Sequence, residues 1–198
     1  SRSSRFGHVF LQRTLLYLIT ISNLYANRNF WILQMEETHR KRIKVAIVGP
    51  ESSGKTTLCK DLSEALNARW VPEFAREQLT INPEYSQEDL DSMLCQQLLN
   101  EQKLKTHLLF CDGDPVSFKI WSSYKYGSVS PYIEEMVTKS KYNYYLLLRP
   151  DLPYQEDPLR ENSSEINRKE LFHLFESELI RNKFNYSIVN GKNSERIN

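Results

Sequence analysis

The stretch IKVAIVGPESSGKT, residues 43–56, decides how this chain folds. Ile43 to Val48 is a short apolar, β-branched run and reads as a buried strand. Gly49-Pro50-Glu51-Ser52-Ser53-Gly54-Lys55-Thr56 comes directly after it and fits the phosphate-binding pattern G-x-x-x-x-G-K-[ST]. Beyond it, Leu58, Leu62 and Leu66 recur on one face of an amphipathic helix. Strand, glycine loop and helix N-terminus together make a nest of backbone N–H groups at a positive dipole end. Gly49, Pro50, Glu51, Ser52, Ser53, Gly54, Lys55, Thr56 and Thr57 are therefore the expected nucleotide cradle. In it Lys55 reaches the β- and γ-phosphates of ATP, and the Thr56 hydroxyl is a ligand for Mg²⁺.

The rest of the composition narrows the partners. At 198 residues the chain is long enough for one α/β domain with a substantial core. A formal net charge of +1 argues against a nucleic-acid surface, because neutralising phosphates takes a clustered basic excess. Cys59, Cys95 and Cys111 have neither paired nor metal-ligand spacing, and Cys59 and Cys111 read as buried, reduced thiols. His8, His39, His107 and His173 are scattered and form no zinc pattern. These features point to a reducing, cytoplasmic setting.

Residues 1–42 differ in character from the remainder of the chain. No acid precedes Glu36, while Arg2, Arg5, Arg13 and Arg28 flank an apolar stretch from Leu15 to Ile21 that is too short to span a bilayer. A signal or anchor segment, an organellar transit peptide and an upstream in-frame extension compete as explanations. The third is preferred, because Met35 before EETHRKRIKVAIVG is a natural start for such a domain. The expected division is an N-terminal extension, 1–42, and a nucleotide-binding domain, 43–198.

From Ile43 onward, strands and helices alternate in the rhythm of a parallel sheet with crossover helices. Strands are expected at Arg69–Val71, Leu108–Cys111, Tyr144–Leu148 and Tyr186–Val189. Ser86 and Asp89 form a capping-box start for a helix with the stripe Leu90, Leu94 and Leu98. Further helices are expected at about Val116–Tyr126, about Pro131–Lys139, and around Leu171, Leu174, Phe175 and Leu179. The fold class is a three-layer α/β/α P-loop NTPase with a mostly parallel sheet, of the nucleoside/nucleotide-kinase kind, with the polar stretch 149–167 as its lid loop.

In open α/β sheets ligands sit beyond the carboxyl ends of the strands. Those ends carry Pro72-Glu73-Phe74-Ala75-Arg76, Asp112-Gly113-Asp114 and Arg149-Pro150-Asp151. A GTPase would need a guanine-reading N-K-x-D after a strand, and Asn182-Lys183-Phe184-Asn185 lacks the Asp. A motor-type or AAA-type ATPase usually ends its acidic strand in Asp-Glu, whereas Asp112 precedes Gly113. A small-molecule kinase fits better: Asp112 and Asp114 supply acids near the γ-phosphate, and Arg160 supplies a lid cation for the transferring group. Each assignment has a structural rival. Asp114 before Pro115 is also a helix cap. Glu73 and Arg76 also suit a surface ion pair, and Arg160 a loop pair with Glu156 or Asp157. Trp121, Tyr124 and Tyr126 also suit plain packing.

Several segments, in order, resemble one family: GPESSGKTTL, EFARE (73–77), CDGDPVSFKIWSSYKYG (111–127), YYLLLRPDLPYQEDPLREN (144–162), RKELFHLFESEL (168–179) and YSIVNG (186–191). They are similar to the nicotinamide riboside kinase (ribosylnicotinamide kinase) domain of bacterial bifunctional NAD-biosynthesis and regulator proteins. The resemblance implies phosphoryl transfer from ATP to the 5′-hydroxyl of nicotinamide riboside, giving nicotinamide mononucleotide. It implies Lys55 and Thr56 on phosphates and Mg²⁺, and Asp112 as the metal-orienting or base carboxylate. Glu73, Arg76 and Asp114 would line the riboside side, and Arg160 would be the lid arginine; Trp121 and Tyr124 are substrate-binding candidates as stacking aromatics, apart from that carry-over. Gly113 departs from the small polar residue common between the two acids, and Tyr154 from a common Trp. Gly7-His8 lacks the rest of the adenylyltransferase motif, so the mononucleotide rather than NAD is the expected product. The tail after Gly191 is short beside relatives that add a final helix. A kinase for another nucleoside, or an ATP-binding regulatory module without acceptor chemistry, are the alternatives.

Overall fold

The computed structural model describes residues 42–155, 164–191 and 196. The expected N-terminal extension with its Met35 start lies outside the described residues, and so does Arg160. The strands are β1 (Ile43–Val48), β2 (Arg69–Val71), β3 (Leu108–Asp112), β4 (Tyr144–Leu148) and β5 (Tyr186–Val189). The helices are α1 (Lys55–Ala65), α2 (Phe74–Ile81), α3 (Gln87–Lys103), α4 (Pro115–Tyr126), α5 (Pro131–Thr138) and α6 (Glu165–Arg181). The sheet runs β2-β3-β1-β4-β5 with every pairing parallel. β1 is the centre, and the chain turns to opposite sides of it for β3 and β4. That switch point opens a crevice above the strand ends, which is where such sheets bind ligands.

The alternation of β1 explains the layers. Val45 and Ile47 face α1, packing with Leu58, Cys59, Phe110 and Leu148, with Leu62 and Leu66 partly buried beside them. Ala46 and Val48 point the other way, into a larger core with Leu90 and Leu94 of α3, Phe118 of α4, Ile133 of α5 and Phe175 of α6. A strand covered on both faces needs apolar residues at successive positions, and Val45 to Val48 supply them. No helix of the described residues is long and apolar enough to cross a membrane.

Local signals act as expected at most boundaries. Ser86 Oγ accepts from Asp89 N at 3.3 Å while the Asp89 carboxylate accepts from Ser86 N at 2.8 Å, the reciprocal capping box of α3. Gly127, at φ 69°, ends α4. Two expectations need correcting. Helix α2 is not among the expected elements: its N-cap is Glu73, whose side chain makes no capping bond, in place of the Ser, Thr, Asp or Asn that marks a helix start. Leu174 is expected on the buried face of α6, but it is 42% exposed, and Phe172 packs inward instead.

Candidate active site

The loop after β1 has the geometry its sequence demands. Gly49 sits at φ +143°, and a Cβ there would stand 2.7 Å from the Leu148 carbonyl of the neighbouring strand. Only glycine meets both constraints. Gly54 precedes α1, and no side chain caps that helix, so its first N–H groups remain available to an anion. Ser53 is fully buried and donates its hydroxyl to Pro50 O at 2.7 Å. Lys55 Nζ folds back to Gly49 O and Pro50 O, both at 2.9 Å, holding its ammonium over the loop.

Register brings the first acid alongside. Ile47 pairs with Asp112, so the last residue of β3 lies level with the penultimate residue of β1, just below the loop. Asp112 is 1% exposed, and its Oδ2 accepts the Thr56 hydroxyl at 2.5 Å. Its Oδ1 is buried and accepts no hydrogen bond among the described residues. Burial raises the Asp112 pKa, against the pull of the Lys55 charge and the Thr56 hydrogen bond. An unpaired carboxylate oxygen beside a hydroxyl is an oxygen-only donor set that fits Mg²⁺. No group of three His, Cys, Asp or Glu stands ready for a metal among the described residues. Water and phosphate oxygens would complete the shell, as Mg²⁺ commonly requires.

Glu73 occupies the end of β2. It is half-buried, and its pKa is pushed up to about 7, first by burial and then by the Asp112 charge; Lys55 and Arg76 pull the other way. Gln97, fully buried on α3, fixes this pair of strand ends: Oε1 accepts from Phe74 N at 2.8 Å, and Nε2 donates to Asp112 O at 3.5 Å. Sequence reasoning missed Gln97. The one signal was an amide on the α3 face that also carries Leu90 and Leu94.

A cavity of about 540 Å³ joins these parts. Gly49 to Thr57 line it, together with Glu73, Arg76, Gly113 and Ser117. Phe118, Trp121, Tyr124, Leu171 and Phe175 add a mostly aromatic set to the same lining. Trp121 is held by its indole N–H, which donates to Tyr85 OH at 2.9 Å. Of the residues expected to meet a substrate, Glu73, Arg76, Trp121 and Tyr124 thus share one cavity with the loop. Asp114 does not line it. It is fully buried and caps α4, its oxygens accepting from Val116 N at 3.0 Å, Ser117 N at 2.9 Å and Ser117 Oγ at 2.7 Å. Burial pushes its pKa up to about 6. Helix capping is what Asp-Pro at a helix start does best.

Two arginines without an expected role also meet the loop. Arg168, near the start of α6, donates from Nε to Glu51 O at 3.1 Å, and from Nη2 to Ser52 O at 3.3 Å and Leu152 O at 3.0 Å. Arg196 donates to Ser53 O at 2.5 Å, Gly191 O at 2.7 Å and Asp151 Oδ1 at 2.5 Å.

Known proteins resemble this chain in sequence and in fold. The trifunctional NAD biosynthesis/regulator protein NadR of Escherichia coli (strain K12) is 27% identical over 150 residues, which are 72% of this chain and 37% of that protein. NadR of Salmonella typhimurium (strain LT2) is 25% identical over 150 residues. The chain spans a little over a third of the length of these curated relatives. A crystal structure of NadR in complex with NR superposes with a TM-score of 0.65 at 20% identity, covering 76% of this chain and 46% of that one. Thymidylate kinase from Ehrlichia chaffeensis superposes with a TM-score of 0.55 at 15% identity, covering 77% and 88%. These likenesses establish a P-loop kinase fold and bear out the resemblance read from the motifs. A family model described as AAA domain matches residues 44–196. The Asp112-Gly113 ending argues against an AAA-type ATPase; that exclusion does not hold at the level of family, although the Glu after Asp112 is still missing. On the match over residues 44–196, the chain belongs to this AAA domain family.

Proposed function

We propose that the chain is an ATP-dependent kinase that phosphorylates the 5′-hydroxyl of nicotinamide riboside, giving nicotinamide mononucleotide and ADP. The observation that carries this reading is the single cavity lined by the phosphate loop, by Glu73 and Arg76, and by Phe118, Trp121 and Phe175. A hydrolase has no need of an apolar pocket beside its phosphate site, whereas a riboside kinase must seat a planar ring there. The names of the relatives, a NAD biosynthesis protein and a complex with NR, support the same acceptor.

The residues divide the work by position. Lys55 exchanges its two carbonyl partners for the β- and γ-phosphates, and the N-terminus of α1 receives the phosphate oxygens. Thr56 and Asp112 would hold Mg²⁺, which offsets phosphate charge when bound. Glu73 lines the cavity and accepts the proton from the riboside 5′-hydroxyl; Asp112 stands outside the cavity lining. The freed oxygen bonds to the γ-phosphorus as the bond to the β–γ bridging oxygen breaks, and ADP leaves with that electron pair. A pKa of about 7 suits Glu73 to this role, since a base works best when poised near the ambient pH. Arg76 at the cavity wall steadies the developing charge, and Arg160 is proposed to do the same from the segment outside the described residues.

The test is an ADP-release assay over a panel of ribosides with product identification. The reading expects phosphorylated nicotinamide riboside. Nucleotide binding without any phosphorylated riboside would favour the regulatory-module alternative.

A further inference from the structure

We infer that Arg168 is a positioning residue for the nucleotide, holding the phosphate loop from outside so that its N–H groups face the ligand. This rests only on the nucleotide half of the proposed function and not on the identity of the acceptor.

A loop that turns its N–H groups inward turns its carbonyls outward, and outward carbonyls need donors. Here every carbonyl from Gly49 to Ser53 has one from a side chain. Lys55 serves Gly49 and Pro50, Ser53 also serves Pro50, Arg168 serves Glu51 and Ser52, and Arg196 serves Ser53. Lys55 must leave its carbonyls when phosphate arrives. Arg168 holds the middle of the loop by grips that do not compete with the ligand.

Three features set Arg168 apart from an ordinary scaffold residue. It is a cation only 3% exposed, and a buried charge carries a desolvation penalty that an apolar side chain of similar size would avoid. Its planar fork matches two successive carbonyls, which an ammonium does not. It also grips the strained point of the loop, since Ser52 has φ 55°, a left-handed conformation disfavoured outside glycine. The third bond, to Leu152 O, ties this grip to the segment after β4 that lines the same cavity. The buried charge lies directly behind the nest that receives a polyanion.

The experiment is calorimetric binding of a non-hydrolysable ATP analogue with Mg²⁺ to the full chain, with thermal melts in parallel. Arg168→Met and Arg168→Lys are compared with Lys169→Ala, whose exposed partner is Glu165. Arg168→Met should weaken analogue binding about 10-fold or more, the equivalent of at least one charge-assisted hydrogen bond. Arg168→Lys should recover only part of that loss, Lys169→Ala should match the wild type, and both Arg168 variants should still melt cooperatively. In turnover, KM for ATP should rise with little change in KM for the acceptor. Analogue affinity within about twofold of wild type in both variants overturns the proposal. So does failure of both variants to fold, which would make Arg168 a residue of stability alone. If the wild type binds the analogue but phosphorylates no riboside, the proposed reaction fails and the Arg168 comparison still stands; if it does not bind the analogue, both fall.

Discussion

Thr56 donates its hydroxyl to Asp112 Oδ2 at 2.5 Å, bridging the start of α1 and the end of β3 across the central crevice. This bond turns the other carboxylate oxygen, Oδ1, into a buried acceptor with no hydrogen bond among the described residues. In the proposed function this pair holds Mg²⁺. Asp112→Asn should therefore lower kcat about 10²-fold or more and raise the Mg²⁺ concentration needed for half-maximal rate. A Mg²⁺ titration of initial rates checks this; an unchanged Mg²⁺ requirement would remove Asp112 from the metal site.

Glu73→Gln should lower kcat by about 10²–10⁴-fold, the usual contribution of a positioned base. The wild-type pH profile carries a second signature. Glu73 works only when ionised, so kcat/KM, measured with both substrates well below saturation, should rise with pH through about 7 and then level. The variant should lose that limb. Retention of the limb in Glu73→Gln would assign the base elsewhere.

Stability should answer to the same group with the opposite slope. The Glu73 pKa is raised in the folded chain, from an ordinary 4.5 to about 7, so between those values the folded form binds more protons than the unfolded one. Stability from this group is thus lost as pH rises through that window. Melting temperatures of the wild type and Glu73→Gln, compared from about pH 5 to about pH 8, should show the variant gaining relative to the wild type. A constant difference would mean that Glu73 is not held in the protonated form by burial.

Gln97→Leu tests the brace beneath the site. It leaves Phe74 N and the Asp112 carbonyl without their partner, a loss of about 1–3 kcal/mol for a buried group left unsatisfied. Chemical denaturation measures that loss. The variant should also lose turnover, because Glu73 and Asp112 are no longer held at a fixed spacing.

Much of this architecture is legible in the chain. The apolar run 43–48, the glycine loop and the Leu58 stripe define the central unit, because each obeys a short-range rule that tertiary context does not override here. Asp112 is legible as a strand ending, since the crevice rule needs only strand positions. What escapes depends on distant contacts. Gln97 and Arg168 act through backbone groups far along the chain, and only the polar side chain of Gln97 on an apolar helix face hints at either. Helix α2 lacks a capping side chain at its own N-cap, so it has no start signal to read. Asp114 has two readings in the sequence, cap and substrate ligand, and packing gives it the cap. Gly113 departs from the family pattern, and at its φ of +103° a residue with a side chain would be strained in this chain.

The most direct test is to incubate the chain with Mg-ATP and nicotinamide riboside and to quantify ADP and nicotinamide mononucleotide together by mass spectrometry. The account predicts that the two appear in equal amounts, and that the mononucleotide formed in a fixed time falls about 10²-fold or more when Glu73 is replaced by Gln. ADP accumulating with no phosphorylated riboside would contradict it.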